Sequence, residues 1–311
     1  MFISIILLAE PLVSIVIPIY NGQNHIQKCF ENLQLQTSSE FEVIVVNDGS
    51  TDKTAKLLSK IKMQNLRIIT HQFNKGLLQA RNSGISAAEG KYILNLDVDD
   101  ILSKQAVEKL KPAIKTDVDI IHFKEQLLEG NQYGKFDSQE FNWANPKLIG
   151  AILRKQPDIA NIILQSGSAF SAHGKLIKTA LYKAVMMSLH EICQQNIVYS
   201  EDFLQMTLLF NAAKSYVGVN HTLYIYVQSG DGAIRTAQSD KIKAAKRALD
   251  LKAVSQVLIQ RIQNKELIQK NIGSLMMENL KNNCELAHIA DVLDDEWKNQ
   301  VLMYSGCSIQ G

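Results

Sequence analysis

The sequence predicts an α/β fold built on a mostly parallel sheet flanked by helices, and three observations lead there. Over the first 125 residues, apolar runs of strand length alternate with segments of helical spacing, the texture of repeated βα units. The runs are continuous rather than alternating, as strands buried on both faces are. Polar clusters follow three of the runs, at the end of the strand where open parallel sheets hold their ligands.

Taken in order, Val13–Ile19 is the first strand, and Asn21-Gly22 turns the chain into a helical segment over Gln23–Leu35. Phe41–Val46 is the second strand. It runs into Asn47-Asp48-Gly49-Ser50-Thr51-Asp52, whose residue types make turns and start helices, and the helical segment Thr51–Ile61 follows. Leu66–Thr70 is the third strand, and Asn74-Lys75-Gly76 opens the helix Leu77–Ala88. Tyr92–Leu96 is the fourth strand; it ends in Asp97-Val98-Asp99-Asp100, ahead of the helix Ser103–Ile114 and a fifth strand, Val118–Phe123.

The pattern loosens after residue 125. Gly130–Asn145 reads as a polar loop, and Ser166-Gly167-Ser168 and His173-Gly174 as turns. Glu201-Asp202 opens a helical run over Phe203–Ala213. Two short strands follow, Ser215–Val219 and Leu223–Val227, and then the turn Ser229-Gly230-Asp231-Gly232. From Asp240 to Asn283 the texture is helical, with Ile242, Ala245, Leu249, Val254, Leu258 and Ile262 at near-helical intervals. The expected organisation is a first half over 1–125, a less regular second half of the same domain over 126–235, and a helical C-terminal extension over 236–311.

Composition narrows the classes. The chain has 311 residues, 46% hydrophobic and 21% charged, enough to bury a full core. A net charge of +2 gives no support for a nucleic-acid partner. The four cysteines, Cys29, Cys193, Cys284 and Cys307, form no CxxC pair and no zinc spacing, so reduced thiols in a cytoplasmic protein are expected. The apolar Met1–Ala9 stretch is interrupted by Glu10-Pro11, short of the roughly 20 residues of a spanning helix. Between Asp240 and Asn283 there are nine Lys/Arg against four Asp/Glu. A basic amphipathic helix of this kind can lie on an anionic membrane surface, giving peripheral contact with the inner face of the cytoplasmic membrane, or it can pack on the domain.

The chemistry concentrates at three strand ends. Asp97, Asp99 and Asp100 place three carboxylates within four positions, costly in repulsion unless a cation sits among them. A hard divalent ion bound by one or two carboxylates is what enzymes handling phosphates recruit. Tyr20 offers a face for a base to stack on. Asp48 can accept a hydrogen bond from a base N–H or a ribose hydroxyl, while Asp52 reads as a helix-start acid. Neither G-x-G-x-x-G nor G-x-x-x-x-G-K-[ST] occurs, which removes the usual support for hydride transfer and NTP hydrolysis.

Pro18-Ile19-Tyr20-Asn21, Val45-Val46-Asn47-Asp48-Gly49-Ser50-Thr51-Asp52, Asn74-Lys75-Gly76, Ala80-Arg81-Asn82-Ser83-Gly84, Glu89-Gly90-Lys91-Tyr92 and Asp97-Val98-Asp99-Asp100 occur in that order. Together they resemble the donor half of a family 2 glycosyltransferase of the GT-A fold, over about residues 12–125. The resemblance implies an inverting enzyme that moves one sugar from a nucleotide diphosphate, usually UDP, with Mn2+ or Mg2+, to a hydroxyl of a glycan or glycolipid acceptor. It implies a donor pocket of Pro18, Tyr20, Asn21, Asp48, Gly76, Arg81, Asp97 and Asp99, and a metal held by Asp99 first, with Asp97 and Asp100 sharing metal and ribose contacts. It also implies a Glu-Asp pair at a helix start in the second half. Ser200-Glu201-Asp202 fits, with Asp202 the base and Glu201 its acceptor-positioning neighbour, or the reverse. His173 is a candidate for a further metal or phosphate contact, and Lys175 and Arg235 for phosphate contacts. The Gln-x-x-Arg-Trp signature and membrane helices of processive members are missing, so single-sugar addition to a cell-surface precursor, of the lipopolysaccharide or capsule kind, is expected. Two rival readings are a sugar-nucleotide pyrophosphorylase and a non-catalytic nucleotide-sugar-binding module. The first wants a Gly-rich basic loop after the first strand, which Tyr20-Asn21-Gly22-Gln23-Asn24 is not.

Overall fold

In the computed structural model, which describes residues 10–129, 140–141, 152–153, 170–228 and 241–280, the first apolar run forms β1 (Val13–Ile19), buried at every position. Then come α1 (Ile26–Gln34), β2 (Phe41–Asn47), α2 (Thr54–Leu58), β3 (Leu66–Thr70), α3 (Leu77–Ala87) and β4 (Tyr92–Asn95). β1 pairs in parallel with β2 on one side and β4 on the other, and β2 with β3. The registers Ile19↔Asn47 and Asn47↔Thr70 bring the carboxyl ends of β1, β2 and β3 level with one another. Strand order reverses at β1, which opens the crevice where ligands of such sheets bind.

Why the strands read as unbroken apolar runs is plain from their two faces. Successive residues of a strand point to opposite sides. Val16, Ile44 and Ile93 enter one apolar cluster; Ile15, Ile17, Val43, Val45 and Leu94 enter the other. Each such side chain taken fully out of water contributes about 1.5–3 kcal/mol, so both faces resist polar substitution. β3 is the exception: it is the outermost strand of its side, and Arg67, Ile68 and Thr70 are exposed.

The rest of the chain extends the same sheet through β5 (Ile101–Leu102), α4 (Ala106–Ile114), β6 (Ile120–Glu129), β7 (Glu140–Phe141), β8 (Ile152–Leu153) and β9 (Lys175–Lys178). These are followed by α5 (Thr179–Ser188), α6 (His190–Cys193), α7 (Glu201–Ala212), β10 (Tyr216–Gln228), α8 (Lys241–Arg261) and α9 (Lys265–Leu280). Among the described residues the sheet has ten strands, in the order β3-β2-β1-β4-β9-β6-β10-β5, with β7 added on β6 and β8 on β10. It is parallel from β3 to β4, as expected, and mixed beyond, because β9 runs antiparallel to both β4 and β6.

Several boundaries differ from the sequence reading. The two short strands expected over 215–227 are one strand, β10, whose register against β6 shifts between Val219 and Thr222 and again before Tyr224. Asn220-His221 is thus an irregularity within one strand rather than a break between two. The fifth strand continues past Phe123 to Glu129, carried by its pairing with β10. In the C-terminal region Leu251, Val254, Leu258 and Ile262 of the α8 segment, and Leu267, Ile268 and Ile272 of α9, share an apolar cluster with Phe203, Leu204 and Leu208 of α7. These helices therefore pack on the domain. Leu249 of the expected apolar stripe is 62% exposed while Asp250 beside it is 2% exposed, because Asp250 has hydrogen-bond partners inside. Cys29 and Cys193 are buried free thiols. Among the described residues no helix is long and apolar enough to cross a membrane. Met1–Ala9, the 130–139 part of the expected loop, Ser166-Gly167-Ser168, the 229–232 turn, Arg235, Cys284 and Cys307 lie outside the described residues.

Candidate active site

The rim at the ends of β1 and β2 is knitted by short polar side chains. Asn21, held at a φ of 52°, donates its backbone N–H to Ser50 Oγ at 3.0 Å and accepts the Thr51 N–H on Oδ1 at 2.8 Å. Tyr20 stands 52% exposed beside this tie, an aromatic face open to a ligand. Pro18 is buried within β1.

Asp48 is buried at the end of β2. Its Oδ1 accepts His71 Nδ1–H at 2.6 Å and the Lys75 N–H at 2.9 Å; its Oδ2 accepts the Gly76 N–H at 2.9 Å. Asp48 thus fixes the loop that starts α3. A carboxylate has about four lone-pair sites, so a fourth donor can still be accepted. Gly76 sits at a φ of 89°, in the left-handed region. A Cβ there would overlap Oδ1 of Asn196, so this glycine lets the segment before α7 lie against the donor loop.

The acid turn divides its labour. Asp100 is 3% exposed; its Oδ2 accepts the Tyr224 hydroxyl at 2.5 Å and its Oδ1 the Val227 N–H at 2.8 Å. The same Tyr224 oxygen accepts the Asp97 N–H at 3.3 Å. Asp100 therefore anchors the turn to β10, and burial, followed by Asp97 and Asp99, pushes its carboxyl well above the usual range. Asp97 accepts Arg81 at 3.2 Å. Asp99 takes no hydrogen bond from another residue among the described ones, and burial together with Asp97 raises its carboxyl. An acid that takes no hydrogen bond from another described residue, beside a second acid still 31% exposed, fits a divalent cation. Among the described residues no three His, Cys, Asp or Glu side chains converge as a metal cage.

Arg81, from α3, is the hub. It is 1% exposed, and one guanidinium reaches three acids from two distant segments: Asp97 through Nη2, and Glu201 at 3.1 Å together with Asp202 through Nη1. Asp202 also accepts the Ala172 N–H at 3.1 Å. Burial pushes Asp202 up, but Arg81 and the Ala172 amide outweigh it and its carboxyl lies below the usual range. Glu201 behaves oppositely: burial and the adjacent Asp202 charge push it well above, against the pull of Arg81. The two carboxyls are thus shifted in opposite directions, the arrangement expected of paired groups with different tasks.

Beside the pair, His173 donates Nδ1–H to Glu125 Oε1 at 2.8 Å and stacks on Tyr224, with ring centroids 4.8 Å apart. Burial alone would lower this imidazole; Glu125 outweighs it and raises it to about 9. Lys175 spends its ammonium on the carbonyls of Ser171 and His173, at 2.9 and 3.1 Å, and burial pulls it down to about 8. It holds the 171–173 loop that presents the Ala172 amide to Asp202. Glu125 and Tyr224 were not singled out from sequence. The available signal was a charge and a tyrosine interrupting strand-like apolar texture.

Gly174 has a φ of 71°, and a Cβ on it would overlap the Glu125 carboxylate. Gly174→Ala is expected to destabilise the fold by about 2 kcal/mol. It should also return the His173 imidazole from about 9 toward its ordinary value. Urea melts and an NMR titration of His173 check this; an unshifted imidazole would rule out the Glu125 pairing as its cause.

The family model described as Glycosyl transferase family 2 matches residues 14–176. Glycosyltransferase GlyG of Streptococcus pneumoniae serotype 4 is 31% identical over 231 residues, which span 72% of this chain and 73% of GlyG. Other relatives are longer proteins, of which the chain spans 31% and 33%. The crystal structure of S. aureus TarS 1-349 in complex with UDP is similar with a TM-score of 0.58 at 16% identity, over 94% of this chain and 87% of that one. The mannosyltransferase PcManGT from Pyrobaculum calidifontis, in complex with GDP-Man and Mn2+, is similar with a TM-score of 0.51 at 15% identity, over 96% and 86%. At these identities the likeness to the two structures is one of fold.

Proposed function

The chain belongs to glycosyl transferase family 2, with the GT-A fold, and from that premise we propose that it is an inverting, metal-dependent transferase. It moves one sugar from a nucleotide diphosphate sugar, a UDP-sugar in this reading, to a hydroxyl of a glycan or glycolipid acceptor. One observation carries the reading. The acid turn after β4 and the Glu-Asp pair of α7, about a hundred residues apart in the chain, meet on a single buried guanidinium at the mouth of the switch-point crevice.

In this mechanism the nucleoside lies on the rim, its base against the exposed face of Tyr20 and within reach of Asp48, with Pro18, Asn21 and Gly76 shaping the wall. Asp99 and Asp97 would hold Mn2+ or Mg2+, which when bound offsets the charge of the diphosphate. Asp100 stays with Tyr224 and keeps the turn in place. The acceptor oxygen attacks the anomeric carbon from the face opposite the diphosphate. The bond from that carbon to the diphosphate oxygen breaks, and the oxygen leaves with the electron pair. The hydroxyl proton passes to a carboxylate oxygen of Asp202. Asp202 suits this role better than Glu201: its carboxyl lies below the usual range while that of Glu201 lies well above, and its side chain is 28% exposed against 8%. Glu201, the more buried of the two, is placed to hold the acceptor or its partner acid.

The reading is tested by thermal stabilisation. Ligand at about a hundred times its Kd adds about 2.7 kcal/mol to the folded state, roughly 4 °C for a chain of this size. UDP with Mn2+ is expected to produce such a shift, UDP alone a smaller one, and ADP little. Asp99→Ala should erase the difference that Mn2+ makes. Equal shifts with and without the ion in the parent protein would refute the metal assignment. A larger shift with GDP would replace the base.

A further inference from the structure

The C-terminal helices were the part of the chain with no assigned task. We propose that Asp250, on α8, is a positioning residue that sets the Glu201–Asp202 pair in place from outside the donor half. The proposal rests on the functional reading above and adds a residue to it.

The segment that delivers the pair, residues 196–200, is an unusual stretch of backbone. Asn196 and Ser200 both adopt left-handed conformations, at φ of 50° and 62°, which non-glycine residues keep only when their surroundings hold them there. Ser200 stands at the N-terminus of α7 but makes no side-chain cap. The segment is held from elsewhere. Asp250, 2% exposed, accepts the N–H groups of both Val198 and Tyr199 on Oδ2, each at 3.1 Å. Lys246, one helical turn earlier, donates to the Asn196 carbonyl at 2.9 Å and pairs with Asp250 Oδ1. On the opposite side the Leu78 N–H, at the start of α3, reaches the Ile197 carbonyl at 3.4 Å, and Gly76 lies against Asn196.

The segment is thus gripped between the donor loop and α8, and Glu201 and Asp202 follow it directly. Releasing the α8 side takes the Asp250 acceptor away from two part-buried amides and frees a strained hinge next to the base. None of the hydrogen bonds of Asp250 among the described residues goes to β1, β2 or α3, which carry the donor pocket. The signature of a positioning role is therefore a loss in kcat with donor KM retained.

The experiment uses the full chain and compares the parent, Asp250→Ala, and the double variant Asp250→Asn with Lys246→Gln. The asparagine carbonyl can still accept both amides, and removing the lysine spares its NH2 group from facing an ammonium. Asp250→Ala is expected to lower kcat about tenfold or more, since small misplacements of reacting groups have effects of this size, with donor KM unchanged. Amide hydrogen exchange at Val198 and Tyr199 should speed up. The double variant should recover most of both. An unchanged kcat in Asp250→Ala, a parallel loss of kcat and donor KM, or a double variant that restores slow exchange without restoring kcat each overturns the proposal. If the parent itself transfers no sugar from any nucleotide diphosphate sugar, the functional reading fails, and unchanged exchange in Asp250→Ala would separately overturn the tether.

Discussion

Arg81→Met is expected to abolish transfer and to lower folding stability by about 3–5 kcal/mol, the usual effect of removing one partner from a buried ionic cluster. Arg81 is the positive centre on which Asp97, Glu201 and Asp202 converge. The methionine fills much of the volume but leaves three acids facing one another. The charge that holds Asp202 below the usual carboxylate range is lost, so this acid shifts upward and becomes a poorer resident anion near neutral pH. The acid turn and α7 also lose their common anchor. Arg81→Lys should retain part of the stability but little activity, because a single ammonium cannot reproduce a fork that bonds two segments at once. Urea denaturation and a transfer assay read both effects. A methionine variant as stable as the parent, with transfer within about tenfold, would remove Arg81 from the centre of this account.

Asp202→Asn is expected to reduce kcat by about 10²–10⁴-fold, the range for loss of a general base, while UDP binding stays as in the parent. The amide matches the carboxylate in shape but keeps only one acceptor, so either the Arg81 or the Ala172 contact is lost while the donor-binding residues stay as they are. Glu201→Gln is the informative companion. Glu201 is held well above the usual range by burial and by Asp202, and its side chain is the less exposed of the two, so glutamine disturbs it less than asparagine disturbs Asp202. Its effect should be far smaller. Isothermal titration with UDP, beside initial rates, separates the outcomes. Loss of UDP binding in Asp202→Asn would move this residue to the donor pocket. A larger effect from Glu201→Gln would exchange the roles of the two acids.

The parallel part of the sheet was legible because strands buried on both faces cannot hide: β1, β2 and β4 are apolar at almost every position. The acid turn and the Glu-Asp pair were legible as residue types at element boundaries. What sequence could not give is pairing over long separations. β9 is four residues with a lysine at each end; it is a strand because β4 and β6 supply hydrogen bonds on both its sides. Tyr224 matters through Asp100, more than a hundred residues earlier. Arg81 was placed near the base and phosphates by resemblance, and nothing in its neighbourhood of sequence points to Glu201 or Asp202. Asp250 interrupts an amphipathic pattern, and a pattern alone cannot tell a buried, satisfied acid from an error in phase.

The position of β9 has a practical outcome for anyone who would recombine such enzymes. Residues 175–178 are stitched between β4 and β6, so the nucleotide-binding segment does not end in a finished surface. Cut near residue 125, it would present β4 as a raw edge ready to pair with other chains. Chimeras that exchange acceptor preference should therefore leave β9 with its native neighbours and graft only the loops around it.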